Sequence, residues 1–253
     1  MFSANLISFR RFIIGCAAAA AAFASGAATA APPMLALPAA TSAFLARFVD
    51  AEGNVNYAAI KRNPMEMNGL LKRVAAFDAG TAKAPEREAF YLNAYNLLVI
   101  GEIVAHYPLE SVQKVPGFFD KNLLSVAGEK LTLNELEAQK LRQPYADPRL
   151  HFALVCGNNN CPRLSRTAYV GNDLFGQLNR QAKFALLDPN YVKIDEAGQL
   201  VKLSEIFKWY EADFSTSGKT GAMYVNQFRK ENRVPTWFAV EYYAYNWSLN
   251  DQN

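Results

Sequence analysis

The chain has 253 residues and carries 26 lysines and arginines against 23 acidic residues, a formal charge of +3. Residues 1–30 read as an export leader, and removing them with Arg10 and Arg11 leaves 24 basic against 23 acidic residues. So even a balance excludes a nucleic-acid footprint and an anionic-membrane anchor, both of which need a dense basic cluster. What remains, about 223 residues, suits one domain with a real hydrophobic core.

The leader opens with Arg10-Arg11, continues through an apolar stretch from Phe12 to Phe23 and ends in Ala28-Thr29-Ala30 ahead of Ala31. A basic start, a short apolar core and an A-x-A exit describe a cleavable secretory signal. The apolar stretch is shorter than the roughly 20 residues of a membrane-spanning helix, and no later run reaches that length. The twin-arginine pattern is imperfect, so general secretory export to the periplasm or the medium is expected. Cys16 leaves with the leader, and the Ala/Pro-rich segment 31–41 leads into a domain over residues 42–253.

Within that domain, Ser42 to Val49 reads as a helix capped by Thr41 or Ser42, and Asp50 to Asn54 as a turn. A second helix is expected over Met65 to Phe77. The longest runs from Pro85 to about His106, stopped by Pro108. Its middle, Phe90-Tyr91-Leu92-Asn93-Ala94-Tyr95-Asn96, is apolar on nearly every side, which marks a helix buried in the fold. Asn93 and Asn96 then share a buried face. Their amides either tie down a neighbouring backbone turn, as most buried side-chain amides do, or belong to a site. His106 in the last turn complements the helix C-terminus.

Two hairpins follow from the pattern: Asn122 to Val126 with Lys130 to Leu133, and Tyr191 to Ile194 with Leu200 to Leu203. Thr132 or Asn134 opens a helix through Glu137 to Leu141. Leu150 to Cys156 reads as an apolar strand opened by His151. Ser204 caps an amphipathic helix to Phe214, and Phe238 to Trp247 forms a last, aromatic strand. Helices and strands mix without regular alternation, so the expected fold class is α+β: one compact domain with a buried central helix, two β-hairpins and peripheral helices.

Cys156 and Cys161, the thiols left after export, frame the loop Gly157-Asn158-Asn159-Asn160. A disulfide between them is within geometric reach and suits an oxidising compartment. Two thiols and one imidazole fall short of a structural zinc site, so no metal is expected. The alternative is catalytic. Cys161 precedes Pro162, which favours a first helical position, so its thiol would stand at a helix N-terminus where thiolate is favoured. His151 would be its base. In a strand, residues five apart face opposite ways, so His151 would meet Cys161 rather than Cys156. Asn93, Asn96 or Glu137 would orient the imidazole or donate to an oxyanion. Trp237, Phe238, Tyr242, Tyr243, Tyr245 and Trp247 form either a sugar-stacking platform or, as alternating aromatics more often do, part of a core.

Five segments in order carry a family likeness: Phe90 to Asn96, Leu133 to Arg142, His151 to Cys156 with Cys161-Pro162, Ser204 to Trp209, and Tyr245 to Asn250. From about Phe44 to Asp251 the chain resembles the domain of unknown function 547 (DUF547) family. Asn56 stands where that family usually has an aspartate, and Ala138 where a histidine is common. The resemblance implies a family and no reaction. Two functions therefore stand. One is a thiol-dependent hydrolase or acyl transferase using a Cys/His pair. The other is a non-catalytic binding or scaffold module stapled by Cys156 and Cys161. Either needs no cofactor and takes a small-molecule, peptide or cell-envelope ligand that the sequence does not identify.

Overall fold

The computed structural model describes Met1 and residues 36–189, 191–215 and 220–252; apart from Met1, the leader over residues 1–30 lies outside them. The fold is α+β. The first helix, α1 (Leu37–Phe48), begins earlier than Ser42, inside the Ala/Pro-rich segment, because Pro38 in its first turn is already fixed in helical φ. A short α2 (Tyr57–Arg62), absent from the sequence reading, starts at Asn56, whose Oδ1 accepts from the Ala59 amide at 2.8 Å. Asparagine caps as well as aspartate does.

After α3 (Met65–Ala75) comes α4 (Ala84–His106), the axis of the molecule. Every residue from Ala89 to Ile100 is buried. Burying each large apolar side chain contributes about 1.5–3 kcal/mol, so this helix organises one of two apolar clusters, against α1, α3 and the first hairpin. That hairpin pairs β1 (Leu124–Val126) with β2 (Glu129–Leu131) through Ala127 and Gly128, both at positive φ.

Thr132 caps α5 (Leu133–Glu135), its hydroxyl accepting from the Glu135 amide while Glu135 reaches back to the Thr132 amide. The helix then widens into a π-helix over Leu136–Arg142 and closes in α6 (Gln143–Tyr145). Leu150 to Cys156, expected to be a strand, is instead a 3₁₀ turn at Pro148–Phe152 running into irregular chain. Pro148 and the Asp147 side chain, which accepts from the Arg149 amide, start that turn. No helix follows Pro162 either; the next, α7, spans Leu174–Leu187.

The second cluster packs α7 beneath a three-stranded sheet in the order β3 (Lys193–Asp195), β4 (Leu200–Ser204), β5 (Ala239–Tyr243). β3 and β4 are antiparallel, and β4 and β5 parallel. The helix expected from Ser204 to Phe214 breaks at Tyr210 into α8 (Ile206–Trp209) and α9 (Glu211–Phe214), and α10 (Gly221–Val225) follows. The chain ends return to each other. Val55 bridges both Val49 and Asp251, and the Tyr57 hydroxyl donates to Asn250 Oδ1 at 2.8 Å.

Candidate functional site

Cys156 and Cys161 are joined in a disulfide, with α-carbons 6.2 Å apart. The loop between them is fixed by its own side chains. Asn158 Oδ1 accepts from the Asn160 and Cys161 amides, and Asn158 Nδ2 lies 3.0 Å from Cys156 Sγ. Gly157 takes φ +79°, a backbone region that side chains with a Cβ avoid.

The two cysteines line different spaces, although both sulfurs lie 3.7 Å from the Tyr245 hydroxyl. Cys156 lines a cavity of about 230 Å³ together with His151, Glu137, Tyr95, Trp209, Tyr210, Tyr245 and Trp247, whereas Cys161 borders a separate cleft near Arg163 and Tyr191. This reverses the expectation that His151 meets Cys161. The opposite-face rule requires a strand, and in a 3₁₀ turn it does not hold, so the imidazole and Cys156 open onto the same cavity. The expected helix N-terminus at Cys161 is absent too.

His151 is buried, and its Nε2 lies 2.7 Å from Asp213 Oδ2. The same carboxylate oxygen accepts from Arg142 Nε at 2.9 Å. The hydrogen bond from His151 and then the Arg142 guanidinium hold the Asp213 carboxyl well below the usual carboxylate range, against the opposing effect of burial. A carboxylate at Nε2 selects the Nε2–H tautomer, which leaves the lone pair on Nδ1. That nitrogen takes no hydrogen-bond partner among the described residues. The imidazole also lies 4.0 Å, ring to ring, from Tyr210, whose ring sits 4.6 Å below the Arg142 guanidinium.

The π-helix explains how Glu137 and Arg142 meet. An i to i+5 closure carries residues five apart to one side of the axis, and Arg142 Nε stands 4.0 Å from Glu137 Oε1. Burial, and next the Glu137 carboxylate, push up the Tyr95 and Tyr210 hydroxyls. Beyond the cavity a second charged group forms where Asp147 grips Arg149 by contacts of 2.5–3.0 Å. Burial first, and then the Asp147 charge, raise Glu88 to about 7.

Of the residues singled out from sequence, the structure brings His151, Glu137 and Cys156 to one cavity, and not Asn93, Asn96 or Cys161. Both asparagines serve the backbone. Asn93 exchanges two hydrogen bonds of 2.8 Å with Tyr169, and Asn96 clamps Ala153 and Val155 at 2.9 Å. The second clamp positions the chain immediately before Cys156. The aromatic tail splits. Tyr245 and Trp247 line the cavity, Phe238 is buried elsewhere, and Trp237 is 75% exposed, so it forms no single platform.

Asp213, Arg142, Tyr95 and Trp209 were not foreseen. Tyr95, Arg142 and Trp209 fall within segments that carry the family likeness, and for Asp213 the available signal was its spacing with Tyr210 and Phe214, three and four apart, on an amphipathic segment. No spacing links them to His151, 62 residues away. Among the described residues no group of three or more His, Cys, Asp or Glu side chains is placed to hold a metal ion, and no helix is long and apolar enough to cross a membrane.

Residues 80–184 match the model of a family described as a protein of unknown function, DUF547. The match takes in Glu137, Arg142, His151 and both cysteines, while Asp213 and the Trp209, Tyr245 and Trp247 wall lie beyond it. No curated protein and no solved structure matches the chain.

Proposed function

From a chain whose residues 80–184 match the DUF547 family model, a likeness that names no reaction, we propose a latent thiol-dependent acyl-transfer or hydrolytic centre with Cys156, rather than Cys161, as nucleophile. One observation carries it: an imidazole oriented by Asp213 at 2.7 Å opens onto the cavity that Cys156 lines. This is the nucleophile, base and orienting-carboxylate logic shared by unrelated hydrolases.

The disulfide is the resting form. A dithiol reductant gives it two electrons and two protons, becoming a disulfide itself and freeing both thiols. His151 Nδ1 then takes the Cys156 proton. The thiolate attacks an acyl carbonyl, a C–S bond forms, and the leaving alcohol or amine departs with the proton held by His151. Water next cleaves the thioester, returning the thiol and releasing the acid. Asp213 holds the ring and steadies the imidazolium, and the Asn158 amide donates to the thiolate.

The chain acts outside the cytoplasm, exported by residues 1–30, where a Cys156–Cys161 bond is readily formed. A second reading, a binding module for a cell-envelope ligand that the disulfide merely staples, is favoured by the bond itself.

The Cys161→Ser variant separates the two, because Cys156 can no longer be bridged. Iodoacetamide should alkylate its Cys156 rapidly near neutral pH and much more slowly in Cys161→Ser/His151→Asn. p-Nitrophenyl acetate should give a burst of nitrophenolate that Cys156→Ser lacks. An ordinary thiol, titrating near 8.5 and indifferent to His151, would leave only the stapled module.

A further inference from the structure

We infer that the cavity takes an alkylammonium group, whether from a quaternary amine or from a lysine-like side chain. This goes beyond the thiol chemistry and stands whether or not Cys156 reacts. The first observation is the wall. Trp209, Tyr245 and Trp247 pack on one another with ring centroids 4.8, 5.1 and 5.9 Å apart, and Trp209 keeps 45% of its surface exposed. Tyr95 and Phe119 also line the cavity, with Leu154, Ile206 and Asn134. Electron-rich faces of this kind attract a cation that has shed its water.

The second observation is charge. Two carboxylates, Glu137 and Asp213, stand beside one permanent cation, Arg142. Arg142 Nε is held by Asp213 at 2.9 Å and reaches Glu137 only at 4.0 Å. Glu137 is nonetheless buried and lines the cavity. Arg142 at 4.0 Å and the Tyr210 hydroxyl offset part of the cost of that buried carboxylate, and an ammonium in the cavity would supply a closer cation. An anionic ligand would meet the like charge of Glu137. A neutral apolar ligand would leave Glu137 as it is.

The test uses the oxidised mature protein, followed by tryptophan fluorescence, since two of its three tryptophans line the cavity. Choline is titrated against its uncharged isostere 3,3-dimethyl-1-butanol, and Nα-acetyl-lysine amide against Nα-acetyl-norleucine amide. The inference expects at least one charged member to bind at least about tenfold more tightly than its neutral partner, with that preference lost in Glu137→Gln. Which pair discriminates tells a free quaternary amine from a peptide side chain. Equal affinity within both pairs, no saturable response to any probe, or a preference that survives in folded Glu137→Gln would overturn it. Should Glu137→Gln not fold, the wild-type comparison decides alone. None of these readouts depends on a free thiol, so failure here and failure of the thiol reaction are told apart.

Discussion

Asn96 shows how one side chain serves a site it does not enter. Its amide both donates to Ala153 and accepts from Val155, fixing the irregular chain that presents Cys156. Asn96→Leu removes both bonds and leaves buried backbone groups unpaired, so it should cost at least about 1–3 kcal/mol in urea unfolding, and Asn93→Leu a similar amount. Wild-type midpoints would refute the clamp. Glu88 makes a second, electrical prediction. Its carboxyl titrates near 4.5 when unfolded and near 7 when folded, so between those values the folded state holds a proton that the unfolded state has released. Stability should therefore fall as pH rises through that window. Glu88→Gln should flatten the slope, as read by melting temperature against pH. Asp213 acts with the opposite sign. Its depressed carboxyl stabilises the fold above the ordinary carboxylate range, and that contribution is lost as acid reaches it.

At the scale of elements, what could be read from the chain followed local patterns, and what could not be read depended on distant partners. The helix Ala84–His106 and both hairpins appear where their apolar spacing and Gly-containing turns put them. The segment Leu150 to Cys156 misled because its apolar run is buried on all sides. Such a run has no period, and strand and turn look alike. The π-helix left no trace in spacing, although it alone brings Glu137 to Arg142. The break at Tyr210 was equally hidden, since it answers to His151 and Arg142 stacked on that ring. His151 and Cys156 were legible as residue types, but their meeting was not. The cysteine loop offers a direct check. Gly157 sits at φ +79°, and a Cβ there would run into the Ile103 side chain. Gly157→Ala should cost about 1–2 kcal/mol or more through left-handed strain alone, seen as a lowered melting temperature in the oxidised protein. Removing the bridge altogether, by Cys156→Ser with Cys161→Ser, should cost about 2 kcal/mol for so short a loop.

The whole molecule joins two apolar clusters, with Trp247 packed against both and lining the cavity. If the leader is cut after Ala30, the mature protein begins at Ala31, and intact-mass measurement of the exported form should find that terminus. A lipid-modified Cys16 would overturn that cleavage site. The pairing of chain ends has a consequence for biosynthesis. Tyr57 and Asn250 are 193 residues apart, and the turn at Gly53 is held by the Asn250 side chain at 3.1 Å. Closing a loop of that span carries an entropy cost that only the final residues offset, so the contact forms late. While residues 249–252 are still inside the ribosome, the first turn rests on local bonds such as the Asn54 amide to Asp50 Oδ1 at 2.8 Å. The bonds that tie this turn to Asn250 and Gln252 are therefore completed only when synthesis has ended.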